Sequence, residues 1–243
     1  MNFKLSYKPF SERSILVQWP DKIDLKILKD VLCFKNQLEK FYSKQSVYVN
    51  SAYNSILVIY PYAIDNINSV YSTLKQQYFD RNLISKTKSK LWKIPVCYDE
   101  KFGLDLSAIS NKTGLSKSAI IQLHFKPIYT IYFIGFLPGF LYLGGLDHRI
   151  AFPRKKKPRT NIKKGSVAIG GDQTGIYPNA SPAGWNLIGN CPLNLFDVSN
   201  EKPCFALPGD KIQFFEIDLK EHYTILESVK NNTYNLQNEL ISD

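Results

Sequence analysis

All 13 glycines of this 243-residue chain lie between Gly103 and Gly209. Glycine alone reaches positive φ at little steric cost and lets backbone or rings approach closely. The first hundred residues must therefore be built from regular elements, whereas the middle of the chain is built from shaped turns. This break predicts two architectures: one domain over residues 1–98 and another over residues 99–243, each long enough to bury a core.

The hydrophobic pattern supports that division. Phe3–Tyr7, Arg13–Trp19, Val47–Tyr53, Ser55–Tyr60 and Leu91–Tyr98 read as strands. Asp21–Tyr42 and Asp65–Leu83 carry apolar residues at helical spacing, with Asp21 placed to cap the first and Asp24 in its first turn. From Arg13 the order is β-α-β-β-α-β, the split βαβ pattern of a ferredoxin-like sandwich. The polar stretch Arg81–Lys90 reads as a linker. Two short helices follow, at Leu104–Asn111 and Ser116–Phe125, the first stopped at Thr113-Gly114 and the second capped by Ser116. After Pro127 short strands dominate: Tyr129–Phe133, Val167–Ile169, Trp185–Ile188, Leu195–Asp197 and Lys211–Ile217. With Gly/Pro turns between them they predict a β-barrel or sandwich, and the class is α+β. Lys220–Val229 reads as a terminal helix, and the tail from Asn231 is expected to fray.

Bulk properties exclude several functions. The opening MNFKLSYKPFSERS has no basic segment followed by an apolar one, so a cytoplasmic location is expected. Cys33, Cys97, Cys191 and Cys204 are widely spaced, as are His124, His148 and His222, and neither set has metal-ligand spacing. Pro127–Leu146 is uncharged over a length that suits a membrane helix, but Pro138 and four glycines interrupt it. A strand, a tight loop and a second strand fit it better, and no membrane partner is expected. Much of the net charge of +10 sits in Arg149–Lys164, which holds eight basic residues and no acid. No nucleic-acid-binding motif accompanies this run. It reads either as a solvated loop or as a patch for an anionic ligand, and nucleic acid is not an expected partner. Arg154 and Arg159 each follow a proline, which fixes them better than the lysines between them.

In order, GFLPGFLYLGGLD, PRKKKPR, GSVAIGGDQTGIYP, SPAGWNLIG and CPLNLFD closely resemble the family of the 5-oxoprolinase B subunits. That family also holds the kinase inhibitor KipI and the first subunit of the allophanate-hydrolase and urea-carboxylase group. The resemblance extends upstream through PVCYDEKFGLDL and LHFKPIYTIYFIGF and, more faintly, to SERSILVQW. It implies a ferredoxin-like N-terminal domain and a cyclophilin-like β-barrel. It also implies a cytosolic protein that works with two partners, the C-type subunit (KipA-like) and the A-type subunit of 5-oxoprolinase. Together they would open the lactam of 5-oxoproline to glutamate, using ATP and its Mg2+. The family usually carries proline at Leu141, glycine at Ala183 and arginine at Asn190.

Activating a lactam by phosphorylating its oxygen calls for cations around phosphate and donors at the developing oxyanion. On that reading Arg154 and Arg159 hold phosphate or carboxylate, Gln173 and Tyr177 supply hydrogen bonds, and His124 is a general acid or base. Gly135, Phe136, Pro138, Gly139, Gly170, Gly171, Thr174, Gly175, Ser181 and Trp185 shape the substrate site. Backbone amides at Gly170, Gly171 and Gly175 would cradle an anion. Each also has a structural reading: a packed His124, tight turns at Gly135–Gly139 and Gln173–Gly175, and Trp185 as a core aromatic. No metal site and no GxxxxGK[ST] loop is present. Two other functions fit the resemblance: a KipI-like histidine-kinase inhibitor gripping its partner through an apolar rim of Phe136, Phe140 and Trp185, and a carboxyltransferase part acting on a urea-type amide with a separate biotin carrier.

Overall fold

The computed structural model describes residues 3–81 and 88–242 and divides the chain into two compact units, Met1–Thr87 and Lys88–Asp243. The first contains β1 (Ser6–Ser11), β2 (Ser14–Gln18), α1 (Leu25–Phe41), β3 (Tyr48–Ser51), β4 (Ser55–Ile59) and α2 (Ile67–Phe79). Its antiparallel sheet has the order β1-β2-β4-β3. Alternation sends Ile15, Val17, Ile56 and Val58 to one face, where they meet Ile27, Val31, Phe34 and Leu38 of α1 and Leu74 of α2. Asp24, rather than Asp21, caps α1 by accepting from the Lys26 N–H at 2.7 Å. Asn66 caps α2. The sequence pattern did not reveal a buried charge network at the base of this core. Asp30, 4% exposed, accepts from Trp19 Nε1, Tyr78 Oη and the Arg81 guanidinium.

The second unit contains β5 (Lys88–Cys97), α3 (Leu106–Thr113), α4 (Lys117–Phe125), β6 (Ile128–Ile134), β7 (Leu141–Gly144), β8 (Arg159–Ile162), β9 (Ser166–Gly170), β10 (Gln173–Ile176), β11 (Ser181–Ala183), β12 (Asn186–Asn190), β13 (Lys211–Ile217), α5 (Leu219–Lys230) and β14 (Asn238–Ser242). Seven strands run β12-β9-β10-β7-β6-β13-β5, and a contact between Asn190 and Cys97 closes them into a barrel. Leu141, Leu143, Val167, Ile169, Ile176, Ile188 and Phe214 fill its interior.

Three expectations are corrected here. β5 pairs with β13 along its length and with β14, not with the N-terminal sheet. The division after Tyr98 therefore moves to Thr87/Lys88, and β1 takes the sheet edge that a split βαβ pattern reserves for its last strand. The tail does not fray, because Asn238–Ser242 adds to the outer edge of β5. Leu195–Asp197 is not a strand and makes only an isolated bridge, from Phe196 to Cys204. Of the expected linker, residues 82–87 lie outside the described residues, Arg81 is buried in the first unit, and Lys88–Lys90 already belong to β5. The uncharged stretch is β6, loop and β7, and no helix among the described residues is long and apolar enough to cross a membrane.

Candidate functional site: an aromatic shelf on the barrel wall

Side chains alternate along a strand. As Leu141, Leu143, Val167, Ile169 and Ile176 point inward, their neighbours Phe140, Tyr142, Ala168 and Tyr177 point outward, where they join Trp185 and Leu187 in a separate cluster. The Phe140 ring lies 4.9 Å from Tyr177 and 5.6 Å from Trp185, both edge-on. Tyr142 stacks on Phe133 at 4.1 Å. Two glycines make room for this shelf. A Cβ on Gly170 would sit 2.5 Å from the Trp185 indole, and one on Gly175 would sit 2.9 Å from Phe140.

The loop between β6 and β7 supplies the rim. Leu137 N–H donates to Gly135 O at 2.8 Å, a one-residue turn centred on Phe136 at φ 65. A non-glycine residue rarely holds such a turn. It raises the Phe136 ring, 62% exposed, edge-on to Phe140 and Tyr177. Pro138 follows on the exposed side, and Gly139 turns the chain back at φ 84, against Phe196.

Polar groups around the shelf are few. The Arg154 guanidinium lies over the Trp185 ring at 5.6 Å and has no carboxylate partner among the described residues. Burial pushes the pKa of the Tyr177 hydroxyl up to about 12, so it stays protonated. Gln173 shares the outward face of β10 with Gly175, and its Oε1 is buried without a hydrogen-bond partner.

Other expected residues are placed elsewhere. Arg159 is committed to Asp105, Nη1 to Oδ2 and Nη2 to Oδ1, both at 2.8 Å, and Lys155 joins them at 2.7 Å. The sequence reading missed Asp105. Its carboxylate also accepts from the Leu187 N–H at 2.7 Å, so it anchors the basic loop to the barrel. Burial opposes its ionisation, but the hydrogen bonds from Arg159 and Lys155 outweigh burial and hold it below the ordinary carboxylate range. Asn186, also missed, ties the same loop down through Pro153 O and Ile169 O.

His124 is not at the shelf. It is fully buried in the barrel, stacked on Phe214 at 4.8 Å. Thr174 Oγ1 donates to Ala168 O, so it must accept from His124 Nε2, and Nδ1 must accept from Tyr98 Oη. Burial lowers the pKa of this imidazole to about 3. It is a neutral core hydrogen-bonding group, and Thr174 is its partner rather than a substrate contact. The glycine amides form no anion cradle either. Gly171 N–H donates to Phe152 O at 2.7 Å, and Gly170 and Gly175 lie within paired strands. Ser181 Oγ turns to Pro182 O in the β8–β11 pair. Asn190 bonds Lys164 O and His222.

The cluster carries one cation without a carboxylate partner among the described residues, Arg154, and one buried amide acceptor without a partner, Gln173 Oε1. It offers neither an activated nucleophile nor a titrating base. The model of the carboxyltransferase domain, subdomains C and D, matches residues 5–206. The chain belongs to that family. This carboxyltransferase-domain protein is 35% identical over 206 residues to the 5-oxoprolinase B subunit of Haemophilus influenzae, covering 85% of this chain and 95% of that one. It is 40% identical over 139 residues to the 5-oxoprolinase B subunit of Escherichia coli O157:H7, covering 57% of this chain and 64% of that protein. The K. lactis urea amidolyase structure shares its fold, with a TM-score of 0.84 at 20% identity, over 99% of this chain and 16% of that one.

Proposed function

We propose that this chain is the B-type member of a cytoplasmic, ATP-dependent 5-oxoprolinase, and that it holds the lactam on the aromatic shelf while the C-type and A-type subunits complete its conversion to glutamate. The observation that carries this reading is the 35% identity across 95% of a protein named as the B subunit of 5-oxoprolinase. The shelf accords with it. 5-Oxoproline is a flat five-membered ring with one carboxylate and one lactam N–H. On this reading its ring lies against Phe136, the exposed ring of the rim, its carboxylate against Arg154, and its N–H toward Gln173 Oε1. Tyr177, protonated and beside the ring, is placed to donate to the lactam oxygen as charge builds there. Gly170 and Gly175 keep the wall flat, and Gly135, Phe136, Pro138 and Gly139 form its rim.

Arg154 offers one cation to a phosphoryl group, and the shelf presents no set of side chains for a triphosphate. Among the described residues no group of three His, Cys, Asp or Glu side chains could hold a metal ion. On this reading Mg2+ comes with the nucleotide, which supplies the phosphoryl group that makes the lactam electrophilic. This division of labour accounts for a protein that binds and orients but does little chemistry alone. We read the barrel as cyclophilin-like and the N-terminal unit as a ferredoxin-like sandwich with β1 in place of the fourth strand.

A second reading is a carboxyltransferase part that acts on a urea-type amide. It is favoured by the family model and by the fold shared with a urea amidolyase. The deciding experiment is ATP-dependent glutamate release from 5-oxoproline by the assembled complex, with and without this chain. Turnover that requires this chain supports the oxoprolinase reading. Turnover that is unaffected by its omission, or biotin-dependent carboxylation of urea in its place, would sink it.

A further inference from the structure

A basic groove lies away from the shelf, beside α5. A cavity of about 630 Å3 is bounded by Phe102, Lys163, Lys164, Cys191, Leu226 and His222. A smaller one of about 260 Å3 shares Lys101, Phe102, Lys163 and Asn190 with it, so the two form one continuous groove. Such a volume matches a ligand of nucleotide size.

Its lining is basic. Lys101, Lys163, Lys164 and Lys230 line the larger cavity, and among the described residues no carboxylate lines either one. Of these four, Lys230 is the one with an acidic partner among the described residues, Glu227 at 2.6 Å. Neutral groups hold the others: Lys101 bonds the Tyr223 hydroxyl, Lys163 sits over the Phe102 ring, and Lys164 bonds Asn194 Oδ1 at 2.9 Å. Asp99 and Asp197 act on Lys101 and Lys164 from outside the groove, where backbone N–H groups of Lys101 and Ser199 engage them.

The groove also contains a buried group without a partner. His222 is 3% exposed. Asn190 donates through Nδ2 to Lys164 O, so its Oδ1 accepts from His222 Nε2 at 2.8 Å. That fixes the ring as an Nε2–H tautomer. Its Nδ1 is left as a buried acceptor with no partner. Burial and then Lys101 lower the imidazole pKa, which keeps that lone pair free. A buried unsatisfied acceptor is costly, and a donor on a bound ligand would relieve it.

We propose that this groove binds a nucleoside polyphosphate. Its phosphates lie along Lys101, Lys163 and Lys164, its base lies against Pro192, Leu226 and Val229, and one ligand N–H or O–H reaches His222 Nδ1. The site is assigned by its own geometry and stands apart from the oxoprolinase reading.

Calorimetric titration of the full chain with ATP, and separately with pyrophosphate, tests it. Saturable ATP binding is expected. It should weaken about tenfold or more in the Lys101→Ala/Lys163→Ala double variant, whose sites are exposed, and be unchanged in Arg149→Ala, a surface cation outside both cavities. Pyrophosphate should bind at least about tenfold more weakly than ATP, because it lacks the group that meets the apolar wall. In the 15N spectrum of the histidine rings, ATP should shift His222 and leave His124 in place. Absence of saturable binding, equal affinity in a folded double variant, equal affinity for pyrophosphate, or an unshifted His222 would each overturn the assignment. Glutamate release by the assembled complex is read independently, so failure here leaves the reading of the shelf intact.

Discussion

Arg159 and Asp105 face each other through two parallel hydrogen bonds, each 2.8 Å long. One of the two arginines that follow a proline is thereby a clamp within the fold, and Arg154 is the one without a carboxylate partner among the described residues. Asp105→Ala should release Arg159 and Lys155 and strand the Leu187 N–H. A loss of about 3 kcal/mol is expected from urea unfolding at neutral pH. Since the Asp105 pKa is depressed in the folded chain, the clamp is at full strength above the ordinary carboxylate range. It should weaken as pH falls through the lower folded value. An Asp105→Ala chain as stable as the wild type would contradict this.

Arg154→Ala should behave in the opposite way. Its thermal midpoint should match wild type, because the side chain is exposed and only rests on Trp185. In the assembled enzyme kcat/KM for 5-oxoproline should fall about 10- to 100-fold, the loss of one charge-assisted contact. Arg159→Ala should reverse that pattern, lowering the midpoint first.

His124 should make the barrel acid-labile. Its folded pKa of about 3 lies far below the ordinary histidine value, so the unfolded chain binds the extra proton first. The stability contributed by the neutral ring is complete above about pH 6.5 and declines toward the folded value, by about 1.4 kcal/mol per pH unit. From pH 7 to pH 5 that amounts to roughly 2 kcal/mol. His124→Gln, compared by urea midpoints at the two pH values, should flatten this slope. The pH dependence of turnover should show no limb that disappears with His124.

Gly170→Ala and Gly171→Ala are adjacent substitutions with different expected consequences. The first drives a methyl into the Trp185 indole and should cost about 1–3 kcal/mol, change the near-ultraviolet circular dichroism and lower activity. The second meets open space but sits at φ 68, so it should cost about 1 kcal/mol and leave the aromatic signal unchanged.

Asp30→Ala removes the carboxylate on which Trp19, Tyr78 and Arg81 converge. A buried guanidinium deprived of its carboxylate is expected to cost about 3–5 kcal/mol, read as early loss of the N-terminal unit in limited proteolysis. Proteolysis indistinguishable from wild type would argue against it.

Much of this was legible in the sequence, and the exceptions have physical causes. Helices α1 and α2 follow from apolar spacing, and Gly114 ends α3 and Ser116 caps α4 as expected. The aromatic residues of the shelf were visible as a group. β14 was not, since Asn238–Ser242 becomes a strand only through the edge that β5 offers it. The Asp105 clamp was hidden because its partners lie about fifty residues away, at Lys155 and Arg159. His124 looked reactive as a letter, and only its surroundings, a hydroxyl on each nitrogen and Phe214 beneath, make it inert. Glycine was read as an anion cradle at Gly170 and Gly175 when its purpose is to let rings lie flat.

The pairing of β5 also orders events during synthesis. Among the described residues, the four strands of the N-terminal sheet pair with one another. β5 emerges next, yet its neighbours are Lys211–Ile217 and Asn238–Ser242. Pairings so distant in sequence form slowly. On the ribosome, one unit can fold early while the first strand of the other waits unpaired, its apolar residues exposed, until Lys211–Ile217 and Asn238–Ser242 have been made.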